Sequence, residues 1–462
     1  MANIKFGTDG WRAVVGKDFN DKNVELVINA VAKYIFDNYG IKKKVIIGYD
    51  TRNMADYYAE KSANIFADLG YNVLLSEKFV PTPVVAYYAK KFNASAVMFT
   101  ASHNPPEYLG IKYIPDYAGP ATSDITEQIV SDIGKSIDKQ ACGSVERRRF
   151  FQEYYEHIDE LIDFNIIRKM NKNIIFDALY SASNGYSDRI LDVENINYKI
   201  LHNIRDINFG GGLPEPKPKY LKELITEVQK TDNAIGLSND GDADRYGVIN
   251  ELGEYVTPNE IMGMLLIHLV KNKKFSGKYV KTVAGSQMHD ILAMKLGIGL
   301  IETPVGFKYV GQAMRENDII IAGEESGGLS IKGHIPEKDG LLANFLVLEM
   351  IAKAQKPLYE LQKEFHNFIG ENFINDRIDI KLKDSEQITI IIEKFNSDMM
   401  LHEALGVKKI GRKDGVKLYL SDQKSWLLIR PSGTEPLLRI YIETNTKEKL
   451  EQIKKIARNV AK

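Results

Sequence analysis

The chain has 462 residues, which at about 100 to 200 residues per domain is enough for three or four domains. Its 61 basic and 62 acidic residues leave a formal net charge of −1, without the basic excess typical of nucleic-acid or membrane-surface proteins. A single cysteine, Cys142, excludes an intramolecular disulfide and a cysteine-based zinc site and fits a reducing cytoplasm. The N-terminus lacks an apolar signal core. We therefore expect a cytoplasmic protein with no nucleic-acid or membrane partner.

Strand-like and helix-like segments alternate in the first part of the chain, which is the pattern of an α/β unit. The buried-looking strand KVIIGYD precedes an amphipathic helix that ends at Gly70, a residue suited to the end of a helix. Two more strands and a helix complete the block. The predicted elements are a strand at 44–50, a helix at 54–70, a strand at 72–77, a helix at 83–92 and a strand at 94–100.

The same pattern recurs twice, and a different one follows. Strands near 172–178, 198–202 and 233–240 mark a second block, and strands near 279–285, 298–304 and 318–325 mark a third. After about residue 370, a hairpin signal centred on Asp414 and Gly415 and a final charged helix indicate an α+β domain. The predicted domains are residues 1–143, 144–253, 254–369 and 370–462.

The segment NDGDADR places three carboxylates at alternate positions, Asp240, Asp242 and Asp244. In an extended or looped segment they can share one side, where their mutual repulsion favours a hard cation such as Mg²⁺ or Ca²⁺. A solvated turn is the alternative. The segment also resembles half of an EF-hand loop, with Glu251 at the twelfth position. However, Arg245 stands where that loop needs glycine, and the flanks look like strands.

Three further polar loops could contact a phosphosugar. In RPSGTEP (430–436), Ser432, Gly433 and Thr434 could present N–H groups and hydroxyls to an anion between Arg430 and Arg439. In GEESGG (323–328), Glu324 and Ser326 offer acceptors for sugar hydroxyls. In GHIPEKDG (333–340), His334 could be an acid or base and Lys338 an anion contact. A plain polar turn is the alternative for each loop, but most of them follow a strand, where α/β ligands gather.

Ser102, in the segment TASHNP, has three alternative roles: helix cap, turn residue or nucleophile. The G-x-S-x-G signature of a hydrolase is absent, and adjacent side chains on an extended segment point apart, so His103 is not predicted as its base. A phosphate carried by Ser102 could complete the coordination of a Mg²⁺ ion held by the three aspartates. We therefore predict a phosphoserine at this position.

Six motifs together resemble the α-D-phosphohexomutase family, in particular its phosphoglucomutase-like branch. Four are similar to the family's active-site loops and fall one in each block, in the family's order. The other two resemble its N-terminal motif and a loop of its third domain. The motifs are TASHNPPEYLGIK (100–112), DGDADR (240–245), GEESGG (323–328), RPSGTEP (430–436), FGTDGWR (6–12) and TPVGFKYVG (303–311).

The resemblance implies a fold, cofactors and residue roles. The fold would be α/β, with four domains around a central cleft: three related α/β domains with mixed sheets and a C-terminal α+β domain. One Mg²⁺ per chain would be bound by Ser102 and the three aspartates, with a sugar 1,6-bisphosphate as activator. Proton transfer would fall to Lys112 and His334. The remaining residues would line the cleft or bind substrate: Thr8, Arg12, Arg245, Lys308, Glu324, Ser326, Arg430, Ser432, Gly433, Thr434 and Arg439.

The implied activity is the interconversion of glucose 1-phosphate and glucose 6-phosphate by a monomer or homodimer. Mannose, glucosamine or pentose phosphates are alternative substrates; a phosphoserine-dependent phosphohydrolase and a non-catalytic sugar-phosphate binder are alternatives of another class. Three departures from the family pattern stand out. Leu109 replaces a common Asn, Gly328 replaces a histidine typical of the bifunctional and phosphoglucosamine branches, and Ser181 and Ser183 replace common glycines. Gly328 favours glucose phosphates.

Overall fold

The computed structural model describes residues 4–7, 10–139, 141–382, 384–431 and 437–460. In these residues four β-sheets of six, five, four and five strands follow one another along the chain. Each sheet with its helices is called a unit below, numbered one to four in chain order. The four-domain α/β class predicted from the sequence is confirmed. In the described residues no helix is both long and apolar enough to cross a membrane.

The first unit keeps the predicted alternation of strands and helices. The strand that begins at Ser95 is buried along its whole length. The second helix ends where Gly70 adopts a left-handed φ of 109°. The strands are β1 (Trp11–Val14), β2 (Val45–Tyr49), β3 (Asn72–Ser76), β4 (Ser95–Phe99), β5 (Tyr108–Ile114) and β6 (Ser144–Arg148), and the helices are α1 (Asp21–Tyr39), α2 (Ala55–Leu69), α3 (Thr82–Lys91) and α4 (Ser123–Ser131).

The second and third units repeat the sheet design of the first. The second unit contains α5 (Gln152–Leu161), α6 (Phe164–Arg168), β7 (Asn173–Asp177), α7 (Ser187–Val193), β8 (Tyr198–Leu201), α8 (Lys222–Lys230), β9 (Ala234–Asn239), β10 (Tyr246–Ile249) and β11 (Tyr255–Val256). The third contains α9 (Pro258–Lys271), β12 (Lys278–Thr282), α10 (Met288–Leu296), β13 (Leu300–Thr303), α11 (Phe307–Glu316), β14 (Ile319–Gly323), β15 (Leu329–Ile331), α12 (Gly340–Ala354) and α13 (Leu358–Ile369).

A shared strand order relates these three sheets. The orders β5-β4-β2-β3, β10-β9-β7-β8 and β15-β14-β12-β13 are equivalent. In each, three parallel strands are followed by one antiparallel strand that forms a hairpin with the last of them. The prediction of related domains with mixed sheets therefore holds. Strand β6 pairs with β3, directly after the predicted boundary at 143/144; the exact domain bounds stay a prediction.

The fourth unit has a fully antiparallel sheet. The hairpin predicted around Gly415 forms between β17 (Val407–Gly411) and β18 (Val416–Leu420), and Gly415 has a left-handed φ of 81°. The elements are β16 (Ile374–Lys381), α14 (Ser385–Ser397), α15 (Met399–Leu405), β17 (Val407–Gly411), β18 (Val416–Leu420), β19 (Trp426–Pro431), β20 (Leu437–Thr444) and α16 (Lys447–Val460).

The hydrophobic core is continuous through the first three units and separate in the fourth. One buried cluster contains Tyr88 of the first unit, Tyr154 of the second and Leu346 of the third. The fourth unit has its own cluster around Phe395 and Leu427. Burial of apolar surface stabilises at about 25 cal/mol per Å², so a shared core holds the first three units firmly together. The four loops that could bind substrate are all hairpin connections: β4–β5, β9–β10, β14–β15 and β19–β20.

Candidate active site

The serine loop, residues 100–107, connects β4 to β5 and places Ser102 in an unusual conformation. Ser102 is buried and has a left-handed φ of 50°, which costs a residue with a side chain about 1 kcal/mol or more. Its N–H donates to Thr100 Oγ1 at 2.8 Å. A strained backbone persists only where its surroundings hold it, so the fold maintains this serine in one orientation.

The aspartate loop, residues 240–245, connects β9 to β10 and is fully buried at its three carboxylates. Asp240, Asp242 and Asp244 each offer a carboxylate oxygen, and these atoms lie within 4.8 Å of one another. The expectation that the alternating aspartates share one side is therefore met. Glu251 lies elsewhere, since it pairs with Lys172 and accepts the N–H of Leu358, and the resemblance to an EF-hand is only local.

These two loops meet, although 138 residues separate them along the chain. The Ser102 hydroxyl donates to Asp240 Oδ2 at 2.8 Å. Gly241 approaches so closely that a Cβ atom there would overlap the Ser102 carbonyl oxygen, which explains a glycine at this point. His103 Nδ1 lies 3.3 Å from Ser102 Oγ. The expectation that these side chains point apart is wrong, because Ser102 is left-handed rather than extended.

Two lysines balance part of the carboxylate charge. Lys112 Nζ lies 3.0 Å from Asp242 and 3.1 Å from Asp244, and Lys338 Nζ lies 3.1 Å from Asp244. Burial, with the neighbouring aspartate charges, raises the pKa of Asp240 well above its ordinary value. Burial acts in the same direction on Asp242, but the Lys112 charge and a hydrogen bond from Thr82 outweigh it, and the pKa of Asp242 is lowered.

The aspartate loop fits a divalent cation. Asp242 Oδ1 and Asp244 Oδ1 are buried without a hydrogen-bond partner among the residues that the structure describes. Unsatisfied buried carboxylate oxygens are costly, and an oxygen-ligated ion such as Mg²⁺ would satisfy them. The Ser102 oxygen lies against the same group, where a phosphate on it could supply a further ligand.

Basic side chains surround the loops. Arg12 donates to Asn104 Oδ1 at 2.8 Å, and Lys308 donates to Ser123 Oγ at 2.8 Å. Burial opposes the charge of Arg245, but Asp244 and Asp240 outweigh it and raise the pKa of Arg245. Burial, together with the charges of Arg245 and Arg12, lowers the pKa of His103 well below its ordinary value.

The β14–β15 loop is anchored to the preceding loop of the third unit. Glu324 Oε1 accepts the N–H of Gly306 at 2.9 Å, and Ser326 is half-buried. At Gly328 a Cβ atom would overlap Cδ of Lys338. The missing side chain at this departure from the family pattern therefore leaves the space in which the Lys338 stem extends toward Asp244.

The fourth unit carries an arginine pair, called the arginine face below. Arg430 and Arg439 are direct partners on antiparallel strands β19 and β20, and such neighbours have Cβ atoms about 5 Å apart. Arg430 Nε lies 3.1 Å from Asp414. Like charges placed opposite each other are unfavourable, which an anion between them would relieve. The predicted contacts of Ser432, Gly433 and Thr434, and that of Thr8, lie outside the described residues.

His334 has partners that favour a structural role over the predicted proton transfer. Its Nδ1 lies 3.0 Å from His157 Nε2, and its Nε2 lies 2.9 Å from Asp339 Oδ2. The side chain is fully buried. Asp339 Oδ2 also accepts the Tyr154 hydroxyl at 2.7 Å. Both ring nitrogens thus have protein partners, of which His157 belongs to the second unit, and the catalytic role of His334 stays a prediction.

Several supporting residues were not predicted from the sequence. Arg52 hydrogen-bonds the backbone of the serine loop, and Thr82 Oγ1 donates to Asp242 at 2.6 Å. The one available signal was a polar segment, DTR, directly after strand β2. Ser181 and Ser183 are buried, and their hydroxyls hydrogen-bond each other at 2.8 Å. This contact gives a structural role to the two serines that stand where glycines are common.

The repeated sheet order and the meeting of the serine and aspartate loops from two units in one buried site are the arrangement of a multidomain α/β enzyme. Family models carry the identification further. Models for "Phosphoglucomutase/phosphomannomutase, alpha/beta/alpha domain I", domain II and domain III match residues 3–140, 152–253 and 257–368. The model for the C-terminal domain matches residues 391–460.

Individual relatives agree with these models. A phosphoglucosamine mutase from Methanococcus maripaludis is 30% identical, covering 97% of this chain and 96% of its own. A phosphoglucomutase/phosphomannomutase from Thermococcus kodakarensis is 27% identical, covering 97% of this chain and 96% of its own. The solved structure of parafusin, a phosphoglucomutase from Paramecium, shares the fold with a TM-score of 0.84, 23% identity and coverage of 100% of this chain and 95% of that one. The chain belongs to the phosphoglucomutase/phosphomannomutase family of α-D-phosphohexomutases and is an intramolecular phosphotransferase.

Proposed function

We propose that this enzyme interconverts glucose 1-phosphate and glucose 6-phosphate through a phosphorylated Ser102. The observation that carries the proposal is the 2.8 Å hydrogen bond from Ser102 Oγ to Asp240. It puts a nucleophile and a carboxylate group from two different units in one buried site. The arginine face adds a second anion site on another unit, as a reaction between two phosphate positions needs.

The reaction consists of two phosphoryl transfers. In the first, the bond between phosphorus and Ser102 Oγ breaks and a bond from phosphorus to the oxygen of a free sugar hydroxyl forms. That hydroxyl loses its proton, Ser102 Oγ gains one, and a sugar bisphosphate results. The bisphosphate then reorients within the cleft. Its other phosphate is transferred to Ser102 by the reverse exchange of bonds. A sugar 1,6-bisphosphate from solution would activate the enzyme by phosphorylating Ser102 when the serine is free.

The residues of the site would have separate roles in binding the metal, transferring the proton and binding phosphate. The aspartates 240, 242 and 244, with Ser102, would hold one Mg²⁺, which when bound supplies charge stabilisation to the transferring group. Lys112 Nζ would accept the proton that the attacking hydroxyl releases, provided that a metal ion takes over the charge of Asp242 and Asp244 and Lys112 loses its own proton. Arg245 and Lys338 would offset charge at the reacting phosphate. The arginine face, with Ser432, Gly433 and Thr434, would bind the phosphate that is not reacting.

The sugar hydroxyls would be recognised by Glu324 and Ser326, with Arg12, Lys308 and Thr8 lining the cleft. Support for glucose over glucosamine comes from Lys338. Because Gly328 leaves room for its stem, Lys338 adds a cation beside Asp244, and a cationic amino sugar would be repelled there. We propose that the enzyme acts as a monomer or homodimer, with its domains at the predicted bounds.

The experiment offers glucose, mannose and glucosamine 1-phosphates separately, with Mg²⁺ and a trace of the matching bisphosphate, and measures formation of the 6-phosphate. The highest kcat/KM is expected for glucose 1-phosphate. Preferred turnover of glucosamine 1-phosphate would replace the proposed substrate but keep the mechanism. Release of inorganic phosphate without any 6-phosphate would instead indicate a phosphohydrolase.

A further inference from the structure

Arg52 is a fully buried arginine that lies beneath the serine loop. It follows strand β2, just after Asp50 and Thr51. A buried guanidinium is costly unless its donors are satisfied. Burial lowers the pKa of Arg52, and the charge of Asp50 opposes this.

The donors of Arg52 converge on one segment of backbone. Nη1 donates to the carbonyl oxygens of Pro105 at 2.8 Å and Tyr108 at 3.1 Å. Nη2 donates to those of Ser102 at 2.5 Å and Asn104 at 2.6 Å. One planar cation therefore holds four carbonyls of the chain that runs from the nucleophile to the start of β5. A lysine could not reproduce this fork of donors.

The guanidinium is itself held from both sides. Arg52 Nε lies 3.3 Å from Asp50 Oδ2, and the ring of Phe209 covers the guanidinium at 5.0 Å. Phe209 belongs to the second unit, as does Arg205, which donates to the carbonyl oxygens of Thr51 and Arg52 at 3.1 and 3.0 Å. Arg52 is therefore held in place by residues of the same unit that carries the aspartate loop.

We propose that Arg52 is a positioning residue that holds Ser102 in its left-handed conformation, with its oxygen directed at Asp240. The inference rests on the proposed phosphoryl transfer at Ser102. Arg52 acts through the four carbonyls to which it donates. Loss of the fork would let the serine loop relax, and a displacement of about 1 Å at a reacting group can cost about 100-fold in rate.

The test uses the whole enzyme with Arg52→Ala and Arg52→Lys, assayed with and without millimolar guanidinium. We expect kcat to fall about 100-fold in both variants with little change in KM. Guanidinium should restore the Arg52→Ala variant at least about tenfold, because it can occupy the vacated space and donate to the same carbonyls. It should not restore Arg52→Lys. The rate at which labelled glucose 1,6-bisphosphate phosphorylates Ser102 should follow kcat.

Arg168→Ala is the matched control, since Arg168 also donates to a carbonyl and a carboxylate, both of Glu194, far from the serine loop. Its activity should equal that of the wild type and not respond to guanidinium. A folded Arg52→Lys enzyme with wild-type kcat would overturn the inference. So would a folded Arg52→Ala enzyme that guanidinium fails to restore. If Arg52→Ala does not fold, Arg52→Lys decides. Absence of phosphoryl transfer in the wild type itself would instead defeat the proposed function.

Discussion

The Ser102 site and the arginine face are both built for phosphate, but they hold their charges differently. At the Ser102 site, Lys112 and Asp242 side chains are almost fully buried and already paired at 3.0 Å. On the arginine face, Arg430 and Arg439 stand opposite each other, and Arg430 Nε lies 3.1 Å from Asp414.

The two regions also differ in how they are attached. The Ser102 site lies within the units that share one core. The fourth unit contacts the third through a smaller cluster with Trp426 and through single hydrogen bonds, such as that from Lys417 Nζ to the Val283 carbonyl at 2.6 Å. A preorganised centre stabilises the transition state, whereas two arginines placed opposite each other gain by binding an anion between them. Substitutions at the Ser102 site should therefore lower kcat, and substitutions on the arginine face should raise KM.

The largest effect is expected from Ser102→Ala, which removes the oxygen that carries the phosphate. Mutase activity should fall by on the order of 10⁴-fold or more, because no covalent intermediate can form. Initial rates of 6-phosphate formation measure this. Ser62→Ala, a buried serine on α2, is the control and should keep wild-type activity. Retention of more than a few per cent activity in Ser102→Ala would refute the nucleophile.

Asp242→Asn should lower kcat next most strongly, by about 100-fold or more, because one metal ligand loses its charge. The variant should also need more Mg²⁺ for half-maximal activity, which a Mg²⁺ titration after chelation measures. Glu251→Gln is the control, since Glu251 lies with Lys172 rather than with the aspartate loop. An altered Mg²⁺ requirement in Glu251→Gln and none in Asp242→Asn would place the metal elsewhere.

Arg439→Gln tests the predicted role of the arginine face in binding the phosphate that is not reacting. The loss of one charge-assisted contact to phosphate, about 1.5–3 kcal/mol, predicts a KM about 10 to 100 times higher with a smaller change in kcat. Steady-state kinetics at several salt concentrations measures both constants. Arg412→Gln, in the same unit and bonded to Asn396, should leave KM unchanged. A fall in kcat alone for Arg439→Gln would contradict the division between the regions.

Gly328→Ala should have a moderate effect confined to the Ser102 site. The new methyl group displaces the Lys338 stem, and kcat should fall by roughly 3- to 10-fold as the contact with Asp244 weakens. Gly212→Ala is a matched control, because a Cβ there would make ordinary van der Waals contacts with Tyr220 and the Phe209 carbonyl oxygen. The ratio of kcat/KM for glucosamine and glucose 1-phosphates should rise in Gly328→Ala; an unchanged ratio would argue against Lys338 as the discriminating cation.

The smallest effect concerns stability and the contact of His157 with His334. Burial, aided by the charge of His334, lowers the pKa of His157 from 6.5 to about 4. The unfolded chain therefore binds the proton first as pH falls, and the stability that neutral His157 contributes is lost between about pH 6.5 and 4. Melting temperatures should fall less steeply over this range in His157→Gln than in the wild type. Equal slopes of melting temperature against pH in the two proteins would show that His157 does not contribute to the loss of stability in acid.

The sequence allowed the fold and the main site residues to be predicted, because strands, hairpin loops and charged motifs leave local patterns. The contacts of Arg52 could not be predicted, since its partners are backbone carbonyls, which carry no residue identity. The approach of His103 to Ser102 was missed because a left-handed φ at a serine has no sequence signal. One partner of His334, His157, lies on another unit, so only the tertiary structure reveals that contact.

The central claim is that Ser102 carries the transferred phosphate. The most direct measurement treats dephosphorylated enzyme with Mg²⁺ and ³²P-labelled glucose 1,6-bisphosphate, then maps the labelled peptide and follows its label into glucose 6-phosphate when glucose 1-phosphate is added. We predict that the label appears on Ser102 alone and leaves at the rate of turnover. Label on another residue, or turnover while Ser102 stays unlabelled, would contradict the account.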